Sequence, residues 1–315
     1  MSIDMSKFHV VTMISNPVRY DSRYRLYIDF KHRLKRAGIK LWTAEIAFGT
    51  RPFAITQAHD NADLQLRTEH ELWHKERALN LLINRLTETH PDWEYVAWID
   101  ADLEFPRWEG PKAWHLETVH MLQHYHVVQL FQNAIDLGPC GEALHTHNGF
   151  AYSYKEGLPF KQGYANWHPG FAWAMTRHAY DSAPIIDYGA LGSGDRHMAC
   201  GLIGQIQKSI NGGCTPEYKQ KLALWQEQAD RGIRRDIGYV PGTVLHHFHG
   251  PKVARGYQDR WKILVDTKFN PDRDLKADAY GLWQLADHGD LRSIEMRDKF
   301  RAYFFSRRED SMEIT

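Results

Sequence analysis

The sequence has little cysteine: three residues in 315, at Cys140, Cys200 and Cys214. They are too scattered for a zinc-finger pattern, and an odd, dispersed set builds no disulfide framework. Reduced thiols in a cytoplasm are the plain expectation. Net charge is also lacking, with 39 Lys and Arg against 39 Asp and Glu. That balance removes bulk attraction to nucleic acid or a membrane and leaves only local patches. No apolar run approaches the roughly 20 residues that cross a bilayer. The N-terminal stretch MSIDMSKFHVV has no basic region followed by a cleavable apolar segment. The expectation is a soluble cytoplasmic protein, in the host cell if the source is viral. Internal repeats, low-complexity linkers, a G-x-x-x-x-G-K-[ST] loop and a dinucleotide fingerprint are all missing. Two residue types run the other way: 19 His and 11 Trp suit a site that binds metal and stacks on flat or sugar-like groups.

Periodicity predicts strands alternating with helices through the first half. Residues 9–14 and 39–48 read as strands, and Leu26, Phe30 and Leu34 have helical spacing between them. Thr68 and Glu71 fit a capping box ahead of a helix lined by Leu72, Leu79, Leu82 and Leu86. Residues 94–99 read as a strand, 112–124 as a helix and 127–131 as a strand. This alternation favours an α/β fold with an open, largely parallel sheet, which binds ligands at the carboxyl ends of its strands. The second half is less regular. Residues 149–155, 170–175 and 239–247 read as strands, and 195–208, 216–228 and 255–267 as helices. The end, 309–315, reads as frayed. One domain with an elaborated C-terminal half is the simpler organisation.

Four stretches carry chemistry. In WIDADLEF, residues 98–105, an apolar strand ends in Asp100 and Asp102. Carboxylate oxygens suit Mg²⁺ or Mn²⁺, though solvated loop acids also make D-x-D. In VLHHFHGPKVARGYQDRW, residues 244–261, His246, His247 and His249 end a second apolar run. His247 and His249 share a face if the chain stays extended, with His246 opposed. At least one of the three fits a packed structural role. Lys252, Arg255, Tyr257 and Arg260 follow, where cations can neutralise a diphosphate. A basic solvated face explains Arg260 equally well. In WHPGFAWAMTRHAYD, residues 167–181, Trp167 offers a stacking surface, whereas Trp173 reads as core. In GALGSGDRHMACG, residues 189–201, a Gly-rich loop feeds a helix with Asp195 at its start. Asp195 there is either an N-cap or a carboxylate base at the mouth of a pocket.

These stretches, in this order over residues 9–260, resemble nucleotide-sugar-dependent glycosyltransferases of the GT-A fold. The likeness is to family 2-like enzymes, with soluble bacteriophage enzymes as one variety. The resemblance implies a Rossmann-like, mostly parallel sheet flanked by helices. Residues 1–270 would form one catalytic domain, with 1–135 for the nucleotide sugar and 136–270 for the acceptor. Residues 271–315 would be a C-terminal helical extension. It implies a donor, most commonly a UDP-sugar, held with Mn²⁺ or Mg²⁺. Asp100 would touch the ribose or assist the metal, and Asp102 would ligate it, with His249 as the first choice of third ligand and His247 the second. Asn16 and Arg19 would sit by the base, and Arg67, Lys75 and Asn80 by the nucleoside. Lys252, Arg255 and Tyr257 would face the diphosphate. Trp167, His168 and Gly194 would meet the acceptor, and Asp195 would be the base. The chain departs from the common pattern of two adjacent acids, since Gly194 precedes Asp195. In an enzyme that retains configuration, Asp195 would bind acceptor instead.

The competing expectations are a metal-dependent phosphoesterase or hydrolase and a non-catalytic nucleotide- or carbohydrate-binding protein. The acceptor of a hexosyl- or pentosyltransferase would be a glycan or a hydroxylated base in modified DNA. The stretch RDKFRAYFFSRR, residues 297–308, mixes cations and aromatics in a way that suits a nucleic-acid backbone or a membrane surface. A terminal helix packed by its aromatics accounts for it equally simply.

Overall fold

A computed structural model describes residues 4–160, 166–257 and 259–314. Its strands in chain order are β1 (Phe8–Ser15), β2 (Leu41–Phe48), β3 (Asp63–Thr68), β4 (Tyr95–Ile99), β5 (Leu103–Glu104), β6 (Val127–Gln129), β7 (Asn133–Leu137), β8 (Ala143–Asn148), β9 (Ala172–Thr176), β10 (Ile237–Tyr239), β11 (Thr243–His246), β12 (Leu275–Ala277) and β13 (Trp283–Leu285). The helices are α1 (Asp21–Arg36), α2 (Lys75–Thr89), α3 (Trp114–Leu122), α4 (Phe150–Lys155), α5 (Arg177–Ser182), α6 (Gly194–Leu202), α7 (Pro216–Gly232), α8 (Asp259–Asp266), α9 (Pro271–Asp274) and α10 (Leu291–Phe305).

Seven strands make one sheet in the order β10-β6-β9-β4-β1-β2-β3. All neighbours run parallel except β9, which lies antiparallel between β4 and β6. Both faces are covered, so β2 is buried at every position and reads as a continuous apolar run. Alternate residues feed two cores. Val10, Ala97 and Ile99 meet Tyr27, Phe30 and Leu34 of α1 and Trp114, Val119 and Leu122 of α3. Val11, Val96 and Trp98 join the opposite layer with Leu79, Leu82 and Leu86 of α2. The chain is thus a mixed α/β protein with a large, mostly parallel sheet between helices.

A second sheet, β5-β11-β7-β8, stands at the carboxyl end of β4. In it β11 runs parallel to β7 and antiparallel to β5. Periodicity missed β7 and β8, whose sequences NAIDL and ALHTHN are half polar.

Other expectations need correction. Thr68 is no helix cap: it ends β3, paired in register with Phe48, and α2 begins at Lys75. Residues 150–155 form α4 rather than a strand, because the Gln129 side-chain oxygen accepts from the Ala151 N–H at 3.0 Å and satisfies a first-turn donor. The helix expected over 195–208 stops at Leu202, and that over 255–267 begins only at Asp259. The C-terminal end is not frayed through 309 and 310. Glu309 is 2% exposed, and the Asp310 carboxylate accepts from the backbone N–H groups of Asp21 and Ser22, each at 2.8 Å. Thr315 lies outside the described residues. Residues 271–314 include the β12–β13 hairpin as well as α10, so the segment is not purely helical.

Helix α10 buries Met296, Phe300, Tyr303 and Phe304 in the same core that holds the apolar residues of α2 and α7. The aromatics of 297–308 are therefore mostly committed to packing, with Phe305 left exposed. Phe300 has no exposed surface. Phe300→Ala should lower the unfolding free energy by about 3–5 kcal/mol in a single denaturant transition. An unchanged midpoint would mean that α10 is a detachable appendage.

Candidate metal centre and cleft

The ladder between β5 and β11 brings the two chemical stretches together. His246 pairs with Leu103, and the His247 N–H donates to the Asp102 carbonyl at 2.9 Å. Asp102 is thereby fixed beside the histidines. The parallel β11–β7 register sets Asp136 opposite His246. The chain leaves the strand after His246, so period-two geometry no longer applies. His246 and His249, three residues apart, face each other with their Nε2 atoms 3.3 Å apart. Asp102 Oδ2 lies 3.0 Å from His249 Nε2 and 3.8 Å from His246 Nε2. His247 turns the other way, with its Nε2 3.0 Å from Glu104. The expected use of His247 is therefore replaced by His246, the histidine that alternation set on the opposite face.

Asp102, His246 and His249 offer one ligand atom each, all within 4.8 Å of one another. Three further observations fit a cation there. The Nδ1–H of His246 donates to Asp136 Oδ1 at 2.8 Å, which leaves its Nε2 as a lone pair aimed at the cluster. Asp102 Oδ1 is buried with no hydrogen-bond partner among the described residues. The protonation states agree: burial holds His246 neutral, its pKa lowered to about 4. Burial alone would lift the Asp102 carboxyl, but His246, His249 and Arg255 outweigh it and hold the group well below the usual carboxylate range. An ionised carboxylate and neutral imidazoles are the forms that bind metal.

Behind this cluster lies a buried carboxylate that the sequence reading missed. Asp136 is 3% exposed and is bonded by His147, His246 and the Lys252 ammonium. Burial would raise its pKa; these partners keep it ionised. His147 had an available signal, the alternation of His145 and His147 on an edge strand. Lys252 thus lines the cleft with its charge already engaged.

The cleft has a volume of about 810 Å³. Of the expected residues, Asn16, Lys75, Asp100, Asp102, Trp167, His168, Asp195, His249, Lys252, Arg255 and Tyr257 line it. Asp100 stands outside the Asp–His–His group and forms an ion pair with Lys75 at the start of α2. Asn16 is engaged in both directions with the Tyr20 backbone and shapes the turn after β1. Besides His247 and Gly194, three expectations fall elsewhere. Arg19 is exposed on that turn and does not line the cleft. Arg67 donates to the carbonyls of Gly49 and Arg51 and lies over the Phe53 ring. Asn80 is buried inside α2, bonded to the Ile185 carbonyl at 2.8 Å. Long polar side chains on strand ends and helix starts have many backbone acceptors within reach, and these took them.

His168 stacks on Phe171 at 4.1 Å, and Phe171 stacks on His246 at 4.6 Å. Burial depresses the His168 pKa strongly, so it sits there as a neutral ring. Trp167 packs against Phe150 and Phe160 at the cleft wall. On the basic wall, burial would raise the Tyr257 phenol, but Arg255 and Arg260 outweigh it and lower its pKa. The Nε atoms of Arg255 and Arg260 are buried without a hydrogen-bond partner among the described residues.

Asp195 lies in the first turn of α6, and Ser193 is the N-cap residue, so Asp195 is not the cap. Gly194 itself contacts α2: a Cβ there would fall 2.7 Å from the Glu76 carboxyl carbon. Glu76 is 5% exposed in the cleft wall. Burial, opposed by Lys75 and reinforced by the charge of Asp195, raises its pKa from 4.5 to about 8. Between those values the folded chain holds a proton that the unfolded chain has released. Stability from this group therefore falls as pH rises through that window, by up to about 1.4 kcal/mol per pH unit. Glu76→Gln should melt close to wild type at pH 4.5 and at a higher temperature than wild type at pH 8.5. A difference independent of pH would show that Glu76 is ionised in the fold.

No protein-family model and no curated protein sequence matches the chain.

Proposed function

We propose that the chain is a metal-dependent glycosyltransferase that moves a sugar from a nucleoside-diphosphate donor to a hydroxyl acceptor. The observation that carries this reading is one cleft holding an Asp–His–His donor set beside two half-buried guanidiniums, Arg255 and Arg260, whose buried Nε atoms have no hydrogen-bond partner among the described residues. Arg255 Nη2 already reaches His249 Nε2 at 3.0 Å, but the unpartnered Nε–H donors suit an anion, and a planar fork suits phosphate oxygens. The cleft volume is in the range of small-molecule sites.

Asp102, His246 and His249 would hold the cation. When bound, Mn²⁺ or Mg²⁺ supplies Lewis-acid charge to the departing diphosphate. Arg255, Arg260 and Tyr257 would orient the diphosphate from the other side. Asp195 would accept the proton of the acceptor hydroxyl as that oxygen attacks the anomeric carbon and the bond to the diphosphate breaks. Lys75 keeps Asp100 in place at the mouth of the metal centre. Trp167 would offer its ring to the acceptor, a glycan or a modified base. A UDP-sugar is the first donor to try.

One observation favours a second reading. A set of one carboxylate and two imidazoles has more nitrogen than the two-carboxylate set expected from D-x-D, and it also suits Zn²⁺ and a hydrolase.

The test is a thermal-shift screen of nucleotide sugars with and without Mn²⁺, followed by product analysis. A Mn²⁺-dependent shift with one donor, and transfer of its sugar to an acceptor hydroxyl, is the expected result. Asp102→Ala should lose the metal-dependent shift. Asp195→Asn should keep it while turnover falls about 10²- to 10⁴-fold. Zn²⁺-dependent cleavage of phosphate esters, without sugar transfer, would establish the hydrolase in its place.

A further inference from the structure

The two histidines of the metal centre are supported differently at first sight. His246 has Asp136 behind it. His249 is buried at 8% exposure, and its Nδ1 has no hydrogen-bond partner among the described residues. The carboxylate facing that nitrogen comes from the far end of the chain: Glu309 Oε2 lies 3.8 Å from His249 Nδ1. That distance is within ion-pair range and too long for a hydrogen bond.

Glu309 is built into this position. It is 2% exposed, and Arg23 of α1 grips it through Nε and Nη2, the latter at 2.6 Å. Arg307 Nε donates to its other side at 2.5 Å. Burial would raise the Glu309 carboxyl, but the two guanidiniums keep it ionised. The flanking residues are fastened as well. The Arg308 N–H donates to the Tyr20 hydroxyl at 3.0 Å, and Asp310 caps the start of α1. On the histidine side, Gly250 has φ +82°, and a Cβ there would come within 2.5 Å of the Arg308 carbonyl oxygen. The loop after His249 and the segment 307–310 are therefore packed backbone to backbone.

We propose that Glu309 is the positioning residue of the metal centre: it holds the proton of His249 on Nδ1 and so presents Nε2 to the cation, the part that Asp136 plays for His246. The C-terminal segment is then a structural component of the metal centre. This rests on the reading of Asp102, His246 and His249 as a cation site, and it applies whether the reaction is sugar transfer or hydrolysis. A carboxylate behind a ligating imidazole fixes the tautomer and strengthens the ligand, and its loss costs about 10- to 100-fold in metal affinity.

The experiment is Mn²⁺ binding to the full chain without substrate, by calorimetry, for wild type, Glu309→Gln, Asp102→Ala and Glu313→Gln. Glu313 is an exposed acid paired with Arg308, a control for charge loss in the same segment. Wild type and Glu313→Gln should bind alike, Asp102→Ala should not bind, and Glu309→Gln should bind about 10- to 100-fold more weakly. Glu309→Gln binding within twofold of wild type, with Asp102→Ala inactive in binding, would overturn the proposal and leave the cation site standing. No Mn²⁺ binding by wild type would overturn both. If Glu309→Gln does not fold, ¹⁵N chemical shifts of His249 in the metal-free wild type decide: an Nδ1–H tautomer supports the role, and an Nε2–H tautomer overturns it.

Discussion

Much of the second sheet is organised around one buried charge. Asp136 has almost no contact with water, and an isolated carboxylate at such depth would cost several kcal/mol. Its compensation comes from three places in the chain: His147 on β8, His246 on β11 and Lys252 in the turn after it. The ladders β7–β8 and β7–β11 exist in the register that lets those partners reach. The same contacts decide the chemistry of the cleft. Because Asp136 takes the Nδ1–H of His246, the opposite nitrogen must face Asp102 as an acceptor. A structural necessity, neutralising a buried acid, thereby leaves His246 in the tautomer that the proposed cation site would require.

The cleft departs from the charge balance of the whole chain. Among its described residues, Arg23, Lys75, Arg196, Lys208, Lys252, Arg255, Arg260 and Arg307 stand against Asp100, Asp102, Asp136, Asp195 and Glu309, with Glu76 held protonated by burial. Overall, Lys and Arg equal Asp and Glu. The positive excess is concentrated where the donor set lies, and a divalent cation would increase it. Such a charge distribution is the one the proposed diphosphate ligand would complement. It also explains why protonated Glu76 is tolerable beside Asp195: a sixth ionised acid in the wall would need a partner that Lys75 already gives to Asp100.

The parts of this architecture legible in the sequence were those written in local order. The apolar runs ending at Ile99 and His246 announced strands whose carboxyl ends carry acids and histidines, and the sheet followed from alternation. Asp102, His249, Arg255 and Asp195 line the cleft because strand ends and loop–helix junctions expose side chains there. The errors have equally local causes. His247 was preferred over His246 because extended geometry was assumed one residue too far. Asn80 and Arg67 were assigned to a ligand although carbonyls of Ile185 and Arg51 lay within reach. Asp136 and Glu309 left no local trace, since His246 lies 110 residues from Asp136 and Arg23 lies 286 from Glu309.

That separation bears on how the centre forms. Its components sit at positions 102, 136, 147, 246, 249 and 309, and none of the decisive contacts joins neighbours along the helix or strand that carries it. Loops this long make closure entropically costly before any contact rewards it. The candidate donor set comes together only where β11 is docked on β5 and β7 and segment 307–310 lies against α1. A cation bound there would stabilise only the chain in which all three events have happened. Binding of a cation by this candidate set and completion of the fold would therefore be one equilibrium. The C-terminal segment contributes Arg307 and Glu309 to the cleft lining and is fastened to α1 through Arg23 and Asp310.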